Sequence, residues 1–128
     1  MNAPERRVLI VDDDELNRLL LEHMVRQLGL VPLSASDGET AVQACAAQRF
    51  ALVLMDRRLS GIDGFEAIAR IRADEAAAGH DPVPAILLSG DIDRPGDPAP
   101  ADAGFVGALV KPFRLDDLAA LVQRALGG

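Results

Sequence analysis

The chain has 128 residues, 49% of them hydrophobic, and a formal net charge of −7 at pH 7. This length fits one domain with a substantial core, and the apolar content is too high for a disordered chain. The acidic balance argues against direct nucleic-acid binding, which needs a basic face, and no apolar run is long enough to cross a bilayer. The opening segment 1–7 is too short and polar for a signal peptide, so we expect a soluble, cytoplasmic protein without membrane insertion.

Cys45 is the only cysteine, so an internal disulfide and a cysteine-based metal site are both excluded. It stands among alanines in a predicted helix. We therefore interpret it as a small core residue.

The first two elements are a buried strand and an amphipathic helix. The run 8–11 is apolar throughout, as in a strand buried on both faces. Asp14 is a candidate N-cap for a helix that continues to residue 28 and stops at Gly29. Within this helix the spacing predicts a buried stripe formed by Leu20, Met24 and Leu28.

The second strand, predicted at 30–35, contains Pro32. Proline cannot donate a hydrogen bond to a neighbouring strand, so this strand is expected at an edge of the sheet. The remaining elements continue the alternation of strand and helix. We predict strands at 51–55, 84–88 and 105–110, and helices at about 38–48 (capped by Ser36 or Asp37), 65–78 and 115–126.

The segment 90–103 should hold the helix between the fourth and fifth strands, yet Pro95, Pro98 and Pro100 fall within it. Each interior proline costs a helix roughly 3 kcal/mol. This crossover is therefore predicted to be a short helix or a proline-rich loop.

Alternating strands and helices with short connections indicate parallel strands joined by right-handed crossovers, with helices on both faces. The expected fold is a single doubly wound α/β domain of the flavodoxin-like (βα)5 type, covering 1–128 with a core at about 7–126. Because Pro32 favours an edge, the expected strand order is 2-1-3-4-5.

Polar residues follow four of the predicted strands at their carboxyl ends. Strand one runs into Asp12 and Asp13, strand three into Asp56, strand four into Ser89 and strand five into Lys111. Strands one and three should be neighbours, so the three carboxylates converge and repel one another unless a cation lies among them. Mg²⁺ suits hard oxygen ligands, and the lysine and serine add a charge and a donor. This set is suited to phosphoryl transfer onto a carboxylate.

Four sequence motifs of this chain match those of a known protein family. They are VLIVDDD at 8–14, LMDRRLSGIDG at 54–64, LLSG at 87–90 and VKPF at 110–113. Over about 7–126 the chain resembles the receiver domain of two-component response regulators, of the kind found in chemotaxis regulators.

The resemblance implies a Mg²⁺-dependent phosphorylation site. Asp56 would be the phosphoacceptor and a metal ligand, Asp13 a direct ligand, Asp12 a ligand through a metal-bound water, and the backbone carbonyl of Arg58 a further ligand.

The resemblance also implies how the phosphoryl group would be held. Ser89 would donate a hydrogen bond to it and Lys111 would pair with it, next to a cis bond before Pro112. The pair Asp63-Gly64 matches the residues that open the third helix in the family.

Three positions bear on how the phosphorylated state would be signalled and on how long it would last. The family pattern places Arg58 and Asp91 where side chains tune self-dephosphorylation, and these two charges are either solvated or bridged over the phosphoryl group. Ala108 stands where the family carries a switch tyrosine or phenylalanine, so a ring movement cannot report phosphorylation here. We expect either an ordering of the segment 90–103 on phosphorylation or a simple relay of the phosphoryl group.

The resemblance implies as partner a histidine kinase or a histidine phosphotransfer protein. The domain would accept phosphoryl groups stoichiometrically and would not be an enzyme that turns over a substrate. Leu16 and Leu19, near the start of the first helix, are either core residues or an exposed patch that receives this partner.

Two alternatives remain open. One is an interaction module that works without phosphorylation. The other is a phosphohydrolase with an aspartate nucleophile, in which Asp12-Asp13-Asp14 would be the first-strand motif. The chain stops after the last predicted helix, which fits either a single-domain regulator or a piece of a longer protein; the oligomeric state is left open.

Overall fold

The computed structural model describes residues 6–90 and 99–127. Its five strands are β1 (Arg7–Val11), β2 (Val31–Ala35), β3 (Leu52–Asp56), β4 (Ala85–Ser89) and β5 (Gly107–Val110). Its four described helices are α1 (Glu15–Gln27), α2 (Gly38–Ala47), α3 (Gly64–Ala78) and α4 (Leu115–Leu126). Within these residues, no helix combines the length and apolarity needed to span a membrane.

The strands form one parallel sheet in the order β2-β1-β3-β4-β5. The predicted fold class and strand order are therefore confirmed, and β2, which contains Pro32, is an edge strand. The register aligns Val11 with Met55 and Asp56 with Leu88. The carboxyl ends of β1, β3 and β4 consequently lie side by side.

Successive residues of the inner strands point into two separate cores. Leu9 and Val11 of β1 pack on the side of α2 and α3, whereas Val8 and Ile10 pack on the side of α1 and α4. Burial on both faces explains why these strands are continuous apolar runs.

The predicted buried stripe of α1 is wrong by one residue. The helix buries Leu21, Met24 and Val25, whereas Leu20 is 41% exposed. Three consecutive leucines at 19–21 allow more than one helical register, and packing against β1 and β2 selects Leu21 for the core. Leu28, the third member of the predicted stripe, is partly buried against the same core.

Aspartate side chains cap three helices. Asp14, Asp37 and Asp63 accept hydrogen bonds from the backbone N–H groups of Leu16, Thr40 and Glu66, at the starts of α1, α2 and α3. The cap predicted for α1 is confirmed, and Asp37 is the cap of α2.

Only the end of the proline-containing crossover can be described. Pro95 and Pro98 lie outside the described residues, so the prediction for most of this segment stays a prediction. At its end, Ala103 donates to the carbonyl of Ala99 and Phe105 to that of Pro100, forming a single turn before β5.

Candidate functional site

Three carboxylates meet beyond the carboxyl ends of β1 and β3. Asp12 and Asp13 follow β1, and Asp56 is the last residue of β3. One oxygen from each lies within 4.8 Å of the others. Asp12 and Asp56 are buried, whereas Asp13 is exposed. The predicted convergence of the acidic residues is thus present.

Asp12 is the most constrained of the three carboxylates. Its Oδ1 atom accepts a hydrogen bond of 2.9 Å from the backbone N–H of Asp14. Its Oδ2 atom is buried and has no hydrogen-bond partner among the described residues. Burial raises the pKa of Asp12 to about 6, since the opposing effect of the Asp14 N–H is outweighed by burial together with the nearby charge of Asp56.

Both oxygens of Asp56 are in contact with a donor. Oδ1 accepts from the backbone N–H of Arg58 at 3.1 Å, and Oδ2 forms an ion pair with Lys111 Nζ at 3.4 Å. Lys111 Nζ also lies 5.8 Å from the centre of the Phe113 ring. The peptide bond between Lys111 and Pro112 is cis, in agreement with the prediction.

A cavity of about 280 Å³ opens above these carboxylates. The predicted site residues that line it are Asp12, Asp13, Asp56, Arg58 and Lys111. Ser89 is buried at the end of β4, and Gly90, which follows it, is the residue of that strand end that reaches the cavity.

Two of the remaining lining residues had no predicted role of any kind. Asn17 lies in the first turn of α1, and Arg57 is buried directly after Asp56. The pattern of apolar residues could not predict that Arg57 is buried. Its position next to Asp56 in the chain was the available signal.

The donor set fits a hard divalent cation. Three carboxylates surround a cavity wide enough to hold water as well as an ion, and Mg²⁺ takes one or two carboxylates plus waters and phosphate oxygens. Asp12 Oδ2, which has no partner among the described residues, points to the same conclusion, because a buried carboxylate oxygen normally accepts a hydrogen bond. Asp12, Asp13 and Asp56 could therefore hold a metal ion.

Two predicted positions lie elsewhere. Ala108 is exposed on β5, where it aligns with Leu87 of β4, and its output role stays a prediction. Asp91 lies outside the described residues.

Comparison with known proteins identifies the family. A family model described as "Response regulator receiver domain" matches residues 8–123. The chain belongs to this family.

Curated relatives of this receiver domain include both regulatory proteins and sensor proteins. It is 33% identical to the transcriptional regulatory protein PdtaR of Mycobacterium tuberculosis, over 97% of the chain and 58% of PdtaR. It is 34% identical to the virulence sensor protein BvgS of Bordetella pertussis, over 94% of the chain and 10% of BvgS. The receiver domain thus spans little more than half of one relative and a tenth of the other.

Solved structures are similar along nearly the whole chain. The receiver domain of the sensor histidine kinase PA1611 from Pseudomonas aeruginosa has a TM-score of 0.84 at 32% identity, covers 96% of this chain and 98% of its own, and contains a magnesium ion in its active site cleft. The receiver domain of Ssk1 from Saccharomyces cerevisiae, solved with the histidine phosphotransfer protein Ypd1, has a TM-score of 0.83 at 26% identity and covers 94% of this chain and 88% of its own.

Proposed function

We propose that this receiver domain accepts a phosphoryl group on Asp56 in a Mg²⁺-dependent reaction. The observation that carries the proposal is the placement of the Asp56 carboxylate between the carboxylates of Asp12 and Asp13 and the ammonium group of Lys111. The Asp56 carboxylate therefore faces the cavity with like charges on one side and the Lys111 ammonium group on the other. In our proposal, residues 1–128 form a single receiver domain with its core at about 7–126.

The acidic residues have separate roles in this proposal. Asp13, which is exposed, and Asp56 bind the ion directly, while Asp12 acts through a metal-bound water. The Arg58 backbone carbonyl completes the protein ligands. When bound, Mg²⁺ neutralises charge on the phosphoryl oxygens and orients them for in-line transfer.

The chemistry is a transfer from phosphohistidine to aspartate. A carboxylate oxygen of Asp56 attacks phosphorus and forms a P–O bond, while the P–N bond to the imidazole breaks and its electron pair returns to the ring nitrogen. Lys111 stabilises negative charge on the transferred group, and the Ser89 hydroxyl donates a hydrogen bond to it. Each domain accepts one phosphoryl group. Asp56 regains its free carboxylate when the acyl phosphate is hydrolysed or the phosphoryl group is transferred onward.

The partner of this proposal is a histidine kinase or a histidine phosphotransfer protein. The similarity to the receiver domain of Ssk1, which was solved with Ypd1, and to that of the sensor histidine kinase PA1611 supports this class. Leu16 and Leu19 on α1 are 76% and 53% exposed. They form an apolar patch beside the cavity, suited to a helical partner that brings a phosphohistidine to Asp56.

The proposal can be tested without knowing the kinase. Wild-type protein is incubated with acetyl phosphate and Mg²⁺, and labelling is followed by mass spectrometry. We expect one acid-labile phosphoryl group per chain, none in excess chelator, and a higher Mg²⁺ requirement for Asp13→Ala. Glu15→Ala, which removes an exposed carboxylate of α1, is the matched control.

Two outcomes would overturn the proposal. Labelling that persists in chelator would mean that the acidic cluster does not act through a metal. Continuous release of phosphate from a generic phosphate ester, without accumulation of the labelled chain, would favour a phosphohydrolase instead.

A further inference from the structure

The start of α3 lies unusually close to the backbone of Asp56. A Cβ atom placed on Gly64, the first residue of the helix, would lie 2.2 Å from the carbonyl oxygen of Asp56 and 3.1 Å from Arg57 Cα. Both neighbours are backbone atoms, which cannot rotate away as a side chain can. Any side chain at position 64 therefore has to separate α3 from the end of β3.

One peptide group connects Gly64 to the Asp56 carboxylate. The carbonyl oxygen of Arg57 accepts a hydrogen bond of 2.9 Å from Gly64 N–H. The N–H of Arg58, which belongs to the same planar peptide group, donates to Asp56 Oδ1 at 3.1 Å. The two hydrogen bonds thus sit on opposite edges of one rigid unit. If the hydrogen bond from Gly64 to the Arg57 carbonyl is lost, the peptide group can rotate. The Arg58 N–H then moves away from Asp56 Oδ1.

We propose that Gly64 is a positioning residue for Asp56. Its lack of a side chain lets α3 approach close enough to hold the 57–58 peptide group, and that peptide group fixes the orientation of the carboxylate. Gly64 touches no reacting atom and acts only through this peptide group. The expected effect on phosphorylation rests on the proposed function, whereas the expected effect on the Arg58 N–H does not.

The other helix on the same face supplies a matched control. Gly38 is also a buried first residue that follows an aspartate N-cap. A Cβ atom on Gly38 would be tightest against a side-chain atom, Ile62 Cγ1, at 2.7 Å, and it would lie 3.0 Å from the Ile62 carbonyl. It would also lie 3.3 Å from Ala67 Cβ, so Gly38→Ala introduces a similar crowding at a helix start against Ile62 and Ala67 and not against the backbone of Asp56.

The first measurement is amide hydrogen exchange of Arg58 in unphosphorylated, metal-free protein. In Gly64→Ala we expect the Arg58 amide to exchange about tenfold faster than in the wild type, as fits the loss of one hydrogen bond. In Gly38→Ala we expect its exchange to change less than threefold. Unchanged Arg58 exchange in a folded Gly64→Ala protein would overturn the proposal, whatever the phosphorylation results are.

The second measurement is the initial rate of labelling by acetyl phosphate at saturating Mg²⁺, with each variant held equally far below its Tm. We expect at least a tenfold loss for Gly64→Ala and less than a threefold loss for Gly38→Ala. Equal losses in the two variants would mean that Gly64 serves only the stability of the fold. Failure of the wild type to be labelled would count against the proposed function and leave the exchange result intact.

A milder pair of variants covers the case in which Gly64→Ala does not fold. Asp63→Ala removes the hydrogen bond to Glu66 N–H, at 2.8 Å, that stabilises the first turn of α3. Asp37→Ala removes the equivalent bond to Thr40 N–H, at 2.7 Å, from α2. We expect faster exchange of the Arg58 amide only in Asp63→Ala. Equal exchange in the two variants would contradict the link between α3 and Asp56.

Discussion

Lys111 Nζ lies 3.4 Å from Asp56 Oδ2, although the two residues are 55 positions apart in the chain and β4 separates their strands. The contact depends on the register of three strands. Asp56 aligns with Leu88, and Lys111 N–H donates to the carbonyl of Ser89 at 2.8 Å. Lys111 therefore leaves the sheet at the level where β3 ends, and its side chain reaches across β4.

This ion pair gives a prediction with two opposite effects. Lys111→Ala removes a positive charge next to the acidic cluster, so Mg²⁺ should bind several-fold more tightly. The same variant loses the cation that stabilises the transferred group, so labelling by acetyl phosphate should slow by about a hundredfold. Titration calorimetry and mass spectrometry measure the two effects.

Arg114→Ala is the control, because it removes the same charge from an exposed position just after the site. It should change neither quantity appreciably. Weaker Mg²⁺ binding in Lys111→Ala would show that the lysine supports the metal site and does not compete with the ion.

The exposed patch formed by Leu16 and Leu19 on α1 gives a prediction about docking of the phosphorylated partner. Leu19→Glu should slow transfer from the phosphorylated kinase or phosphotransfer protein by at least about tenfold, since a charge replaces an apolar contact at the interface. Labelling by acetyl phosphate, which needs no docking, should stay at the wild-type rate.

Val31→Glu is the matched control, since Val31 is 49% exposed and lies at the amino end of β2, away from the cavity. It should leave both rates unchanged. Equal losses of both rates in Leu19→Glu would mean that the substitution disturbs the fold.

Much of this fold could be predicted from the sequence, for identifiable reasons. Buried parallel strands are continuous apolar runs, and Pro32 indicates an edge because it cannot donate to a neighbouring strand. The proximity of Asp12 and Asp56 could be predicted because each lies at the end of a strand whose place in the sheet was predicted.

Two features of the structure could not be predicted from the sequence. The buried face of α1 was misassigned because three adjacent leucines leave its register open until the sheet selects Leu21. The close approach of Gly64 to Asp56 depends on how α3 packs against the end of β3, and periodicity carries no information about that distance.

Arg58 is expected to control the lifetime of the phosphorylated state. Its side chain is exposed at the rim of the cavity, while its backbone N–H holds Asp56. Arg58→Ala keeps the backbone contact and removes the side chain that we expect to hinder an attacking water. The half-life of the phosphorylated protein, followed after removal of the phosphodonor, should therefore shorten several-fold.

Arg26→Ala, which removes a charge from the last turn of α1, should leave the half-life unchanged. An unchanged or longer half-life in Arg58→Ala would remove the proposed shielding.

Cys45 is expected to be unreactive in the folded protein. Burial raises the pKa of its thiol to about 12, and the negative charge of Glu75 adds to the effect. The thiolate is therefore scarce in the folded protein at pH 9, whereas a cysteine in the unfolded chain is substantially ionised at that pH. Alkylation by iodoacetamide should be slow in native protein, rise with pH, and become fast in denaturant. Rapid alkylation of the native protein at pH 7 would contradict this account of the Cys45 environment.

The most direct test of the account is to locate the phosphoryl group. Wild-type protein and Asp56→Asn are incubated with acetyl phosphate and Mg²⁺, treated with borohydride to reduce any acyl phosphate, and mapped by peptide mass spectrometry. We expect reduction at residue 56 alone in the wild type and no labelling of the variant. Undiminished labelling of Asp56→Asn, or modification of Asp12 or Asp13 in the wild type, would contradict it.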